Sequence, residues 1–492
     1  MLGAYMTSRR PLALLVALSV AGPATAVEPH DQWYAIVMQD RVTGWMHDVW
    51  THEDGTWTAV QETNIQIARG ATVIKTLTRS TSVEDEAGAL LSMDVTATSS
   101  GAASTIKVSV TDGVATVVSK SGDREVTSTK PLQKGCVGPV GLRAQTLDHI
   151  AAGETQFSVC TANVMSASGG SSLEFVVDPQ ATTSDALGDV TATPTLWTTD
   201  MIPGVPTREW ILADGRMFRT EVSVGAIQMV MRRNDGPVTL DAPLELMVQT
   251  FVPAPTPIDK PRRAQAGRYR LAMKAGTLPL LPSAGAQRVR MDGDSAVVDV
   301  DLRHRAPATD AQDPRWTAST LLLETGDPKL AQLTADALIG VKSTDAAAKA
   351  EALRRFVYHY ITHKDLSVGF GTASEVARGR RGDCTEHAVL LAGLLRVAGV
   401  PSRVASGLVY SDSFMGRDQV FVFHMWTQAL LTVHGVPTWV DVDAALTDKA
   451  AFDATHIALS VSGLEDGAIL STFTAVVQVL GELTIDVLDP ST

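Results

Sequence analysis

The stretch "RRGDCTEHAVLLAGLLRVAGVPSR", Arg380 to Arg403, carries one of only three cysteines in a chain of 492 residues. Leu390, Leu391, Leu394 and Leu395 recur at helical spacing, Gly399 suits a left-handed cap, and Pro401 blocks further helix. Gly382-Asp383 come first, so Cys384 is predicted in the opening turn with Asp383 as the capping residue. Free N–H groups and the helix dipole favour an anion there, and the thiolate is the nucleophilic form of cysteine. The reading expects a thiol of lowered pKa, with its own backbone N–H free to meet an oxyanion.

A cysteine nucleophile needs an imidazole to take its proton and a third group to orient that ring. Both are sought on the next strands, "VFVFHMWTQALL" and "TWVDVDAAL", which the turn-like "HGVP" folds back as a hairpin. A reversal centred near Val433 and His434 places His424 opposite Asp443 with both side chains on one face. Parity alone does not choose between Asp441 and Asp443, because residues two apart share a face; only the register does. His387, three residues after the cysteine, is expected to be structural or to lie on the rim, and Trp426 and Trp439 to be core or site-wall aromatics.

"GDCTEHAVLLAGLLRVAGVPSR", then "FHMW", then "WVDVDAA" together resemble the transglutaminase-like superfamily in its bacterial exported form, over roughly residues 327 to 460. The resemblance implies a catalytic triad of Cys384, His424 and Asp443, the last four residues beyond Trp439. It also implies a papain-like α+β fold, the cysteine-bearing helix packed on an antiparallel sheet. Where the family usually carries a threonine shortly after the aspartate, this chain has Ala444-Ala445. The implied chemistry is cysteine-dependent acyl transfer on peptide or side-chain amides through a thioester, as a peptidase or amidase or as a protein-glutamine transferase. A catalytically inactive scaffold or binding protein of the cell envelope is the alternative.

Upstream, Asp327-Pro328 opens a helix with a cap and a proline at its first position, "STDAAAKAEALRRFVYHYITHK" supplies a second, and "TASE" fits a capping box before a third. From about residue 30 to 255, short alternating runs of Thr, Val and Ser such as "STIKVSVTDGVATVVS" read as antiparallel strands. Asp214-Gly215 there is expected to supply two positive φ angles for a tight turn. "FVPAPTPIDKPRR", 251–263, reads as a linker because each proline removes a ladder donor. The predicted organisation is a signal peptide at 1–26, an antiparallel β domain at 27–255, a linker and small β segment at 256–326, and the transglutaminase-like catalytic domain at 327–492.

Composition sets the outer bounds. A net charge of -13 disfavours a nucleic-acid partner, which needs a basic footprint; the densest basic run, "KPRRAQAGRYR", reads as a solvated linker and strand edge. The opening 26 residues combine Arg9-Arg10, a short apolar run and Ala24-Thr25-Ala26, the pattern of a secretory signal cleaved near Ala26. The mature chain is therefore expected to be periplasmic or secreted, with no stable membrane span and a protein or peptide substrate as its partner. In that compartment Cys136 and Cys160 are able to bridge, which leaves Cys384 as the odd thiol. No cofactor is expected, and neither H-E-x-x-H nor paired C-x-x-C points to a catalytic metal; a zinc cluster of His424, His434 and His456 is the minor metal reading.

Overall fold

The computed structural model describes residues 27–489 apart from 71, 100–101, 122–123, 167, 186, 202–203, 226, 246, 343, 365–370, 466–475 and 477; the signal segment read at 1–26 lies outside the described residues. The chain is mixed α+β, with a large amino-terminal antiparallel sheet followed by helices and two further sheets.

Among the described residues the amino-terminal sheet has sixteen strands. Eight of them, from His30–Met38 to Arg124–Pro131, form a meander in which each pairs antiparallel with the next. The first strand also pairs with Ile227–Asn234, which begins a second wing running back to Gln156–Ala162. Alternation in the sequence sets which side chains face inward: Ala115 and Val117 of "VATVVSKS" pack with Val108 and Val164. The turn at Asp214-Gly215 departs from the expected pair of positive φ angles, since only Gly215 adopts one, at 86°. Leu212 N–H donates to Arg216 O around it, the Asp214 carboxylate accepts from Arg216 N–H, and a register shift between Trp210 and Ile211 absorbs the longer loop.

Helix α1, Pro139–Ala151, packs against this sheet. Its N-cap, Gly138, has no side chain to offer, so the buried Glu84 carboxylate supplies the cap by accepting from Val140 and Gly141 N–H. A Cβ on Gly141 would lie 2.7 Å from Gly88 Cα, which explains the glycine at that crossing. Cys136 and Cys160 form a disulfide that ties the approach to α1 to the strand Gln156–Ala162. Such a bridge is consistent with an oxidising, exported environment.

Carboxy-terminal to about residue 252 the chain stacks three layers. Helices α2 (Pro328–Ala337), α3 (Ala346–Tyr360), α4 (Ala373–Gly379) and α5 (Cys384–Val397) cover one face of a five-stranded sheet, built chiefly from Ser402–Phe414, Arg417–Val433, Val436–Val442 and His456–Ser462. A four-stranded sheet that includes Ala266–Met273 and Leu483–Asp489 covers the other face. The expected caps are present: Asp327 before α2, the Thr372–Glu375 capping box before α4, and Gly399 at φ 75° after α5. Leu390, Leu391, Leu394 and Leu395 are all fully buried, which makes α5 the central helix of its layer.

The proline-rich segment 251–263 is packed into this part of the chain. Val252–Pro253 pairs with Phe421 and Val420, while Ala254 and Ile258 are buried in the core between the two sheets. Nor is the basic run 260–270 merely solvated: Arg262 donates to the Asp453 carboxylate and to Tyr410 O and Thr455 Oγ1. The physical reason is that Asp453 is buried and needs a partner, which composition cannot reveal. Among the described residues no helix is long and apolar enough to cross a membrane.

Candidate active site

Cys384 is the first residue of α5. Asp383 and Glu386 close a reciprocal capping box around it: the Asp383 side chain accepts from Thr385 N–H and from the Glu386 backbone, and Glu386 Oε2 accepts from Asp383 N–H. Asp383 therefore caps, as expected, and it does one thing more. Arg69, at the end of the amino-terminal strand Thr56–Arg69, donates to Asp383 Oδ2 at 2.8 Å, so the large sheet touches the mouth of the cysteine helix.

His424 lies on the strand Arg417–Val433, and the hairpin that follows turns at His434 and Gly435, both with positive φ (49° and 81°). Val433 pairs with Val436 and Thr427 with Val442, so the reversal is centred one residue later than the sequence suggested. That moves every pairing by two residues, which preserves faces but not partners. Asp443 is thus not directly opposite His424. It sits just past the last ladder pair and reaches diagonally, with His424 Nε2 to Asp443 Oδ2 at 2.9 Å and both residues buried. Asp441 is committed elsewhere, accepting from Trp426 Nε1, Gln428 Nε2 and Ala286 N–H. Trp426 and Trp439 are both buried in the core around this hairpin.

The loop after Asp443 holds the carboxylate in place. Asp443 Oδ1 accepts from Ala445 N–H at 2.6 Å, so a backbone donor does the orienting just where the family usually has threonine. Arg354, wholly buried on α3, donates to the carbonyls of Asp443, Thr447 and Asp448. Its place in the stripe Ala350, Leu353, Val357 was the one sequence signal that this arginine points inward.

His456 completes the buried group. Its Nε2 lies 3.3 Å from the same Asp443 Oδ2, and its Nδ1 lies 3.0 Å from Asp453 O. Burial opposes charge on this ring, but the Asp453 carboxylate, and after it Asp443, push its pKa up to about 9. Asp443 is held well below the usual carboxylate range: burial works against its charge and is outweighed by His424 and His456. His434 is exposed in the turn, so the zinc trio read from sequence does not assemble. His424, Asp443 and His456 do place ligand atoms within 4.8 Å of one another. Both imidazole Nε2 atoms, however, are directed at one carboxylate oxygen, an arrangement of hydrogen bonds that a metal would have to displace.

The thiol departs from expectation in its electrostatics. Burial pushes the Cys384 thiol well above its ordinary pKa, and Asp383, Glu386 and Asp443 add to the rise; the nearby Met425 N–H opposes it. A helix amino terminus lowers a thiol only when its dipole outweighs desolvation and neighbouring charge, and here burial, with the capping side chains adding to it, reverses the balance. Burial and Asp383 likewise raise Glu386, to about 8. Cys384 is half-buried and lines, together with His424 and His387, a cleft of about 1270 Å³. Among the described residues no hydrogen bond joins its sulfur to His424 in the resting site. Arg69, Met247 and Thr250 line the same cleft, so the amino-terminal region contributes to its wall.

Residues 333–444 match the family model of the transglutaminase-like superfamily. The chain carries a transglutaminase-like domain. The match runs from α2 through the hairpin to the residue after Asp443, and so takes in all three residues of the expected triad. No curated protein matches the chain. Among solved structures it is similar to a β-barrel-like protein with a domain of unknown function from Brucella abortus, at 13% identity over 43% of this chain and 97% of that one, with a TM-score of 0.35. It is also similar to a protein described as a candidate cysteine protease from Cytophaga hutchinsonii, at 14% identity over 45% of this chain and 83% of that one, with a TM-score of 0.27. A candidate protease from Parabacteroides distasonis is similar at 10% identity over 72% of this chain and 69% of that one, with a TM-score of 0.17.

The raised pKa values of His456 and Glu386 carry a consequence for stability. His456 gains a proton partner on folding, so its contribution is complete below pH 6.5, its ordinary value, and is lost as pH rises through about 9. Glu386 acts in the same direction between pH 4.5 and about 8. Urea midpoints are therefore expected to fall between pH 6.5 and 9, by on the order of 2–3 kcal/mol for His456. The part of that fall above pH 8 should disappear in His456→Gln; an unchanged slope in the variant would show that His456 is not charged in the folded chain.

Proposed function

We propose that this chain is an exported, cysteine-dependent acyl-transfer enzyme that acts on peptide or side-chain amides through a thioester on Cys384. The observation that carries the reading is the buried His424–Asp443 bond, which orients an imidazole in the cleft that Cys384 shares. With Nε2 occupied by Asp443, Nδ1 is the ring nitrogen available to the thiol. In the proposed step the sulfur proton passes to His424 Nδ1 as sulfur bonds to the carbonyl carbon, and the Cys384 N–H meets the oxyanion. The carbon–nitrogen bond then breaks with that proton returned to the leaving amine. Water or a second amine attacks the thioester, and the carbon–sulfur bond breaks to restore the thiol. Because the resting thiol is held protonated, His424 acts as a base during attack and not as the standing partner of a thiolate. The disulfide and the secretory pattern of the first 26 residues support export.

One observation favours the rival reading of a silent scaffold, namely the raised thiol itself. Labelling with a peptide-amide electrophile at pH 7 separates the two. Rapid, stoichiometric modification of Cys384, slowed about 10²–10⁴-fold by His424→Ala, is expected of the enzyme. Equal, sluggish labelling of both proteins would leave the scaffold.

A further inference from the structure

His387 follows Cys384 by three residues on α5 and lines the same cleft, yet the chemistry above does not use it. Its Nδ1 lies 2.6 Å from the carbonyl oxygen of Asp383. A carbonyl only accepts, so Nδ1 carries the ring proton and Nε2 presents a lone pair. The residue is 1% exposed, and among the described residues the buried Nε2 has no hydrogen-bond partner. An unsatisfied buried acceptor is costly, and an apolar side chain of similar size would fill the space without that cost.

We propose that His387 Nε2 is a substrate-binding acceptor that receives the N–H of the amide whose carbonyl carbon Cys384 attacks. This inference rests on the acyl-transfer reading and names its substrate class: primary carboxamides and secondary peptide bonds, which carry an N–H, in preference to esters and tertiary amides, which do not. The dimensions agree. Side chains three apart on a helix are neighbours, with Cβ atoms about 5–6 Å apart. A carbonyl carbon about 3–3.5 Å from sulfur and bonded to a nitrogen about 3 Å from an acceptor spans a similar gap. Burial, with Lys364 adding to it against the Asp383 carbonyl, lowers the pKa of His387 to about 4, so at neutral pH the ring accepts a hydrogen bond without keeping the proton. The role of base stays with His424.

The test uses blocked amino acids prepared in matched pairs, each acyl group as its 4-nitroanilide and as its 4-nitrophenyl ester. In full-length His387→Leu, kcat/KM for the anilides is expected to fall about 10- to 100-fold while the esters stay within about twofold. His387→Gln, whose side-chain carbonyl can accept, should recover part of the anilide activity. Equal losses on both classes in a folded variant would overturn the inference, as would no loss on either. Should His387→Leu lose its cooperative melting transition, the ester-to-anilide ratio of His387→Gln decides. Failure of the acyl-transfer reading looks different: the wild-type chain would then turn over neither class, or Cys384→Ala would leave its turnover unchanged.

Discussion

Cys384→Ala is expected to lower turnover of any amide substrate by about 10⁴-fold or more, to the level left by binding alone. The reason is that in the proposed reaction only the sulfur forms the covalent bond; the remaining groups of the cleft would hold and polarise a substrate but not its acyl group. Stability should change little, with the melting temperature within about 3 °C of wild type, because the half-buried thiol is not part of the capping box and sits among carboxylates that disfavour its charge. Steady-state kinetics beside thermal melts checks both halves. Retained turnover in a folded Cys384→Ala chain would end the cysteine-enzyme account.

The second large effect is expected for Asp443→Asn, at about 10³–10⁴-fold in kcat. A neutral amide neither stabilises the imidazolium that forms on His424 nor fixes its tautomer. Unlike the thiol, this carboxylate is also structural, since it accepts from His424, His456 and Ala445 N–H in a buried site. Removing its charge beside a protonated His456 is expected to destabilise the chain by about 3–5 kcal/mol, read as a shift in urea midpoint. Asp441→Asn is the control. Its amide oxygen can still accept from Trp426 and Gln428, but an NH2 group replaces the oxygen that accepts from Ala286 N–H, so the change should cost stability with kcat largely kept. If Asp441→Asn abolished turnover while Asp443→Asn did not, the assignment of the third residue would be reversed.

Much of the site was legible because it is local. Asp383, Cys384 and the leucine stripe follow from capping preference and helical period, and Thr372–Glu375 from a four-residue box. The hairpin was legible in kind, but its centre was misplaced by one residue: "HGVP" offers two adjacent reversals, and only pairing of the finished strands chose His434-Gly435. The Asp214-Gly215 turn differed for a related reason, since aspartate can close a turn through its carboxylate without adopting positive φ.

What the sequence by itself determined is the cysteine at a helix start, the imidazole and carboxylate on one face of a hairpin, and the alternation that makes the strands between residues 30 and 234, though not helix α1 among them. Those depend on spacings within a few residues, which short-range sterics and hydrogen bonding dictate. Only the tertiary structure decided that His456 shares Asp443, that Arg69 reaches Asp383 from more than three hundred residues away, and that burial, with acidic neighbours adding to it, pushes the thiol up. Charge and burial act through space, so a group's ionisation is set by neighbours that the order of the chain does not reveal.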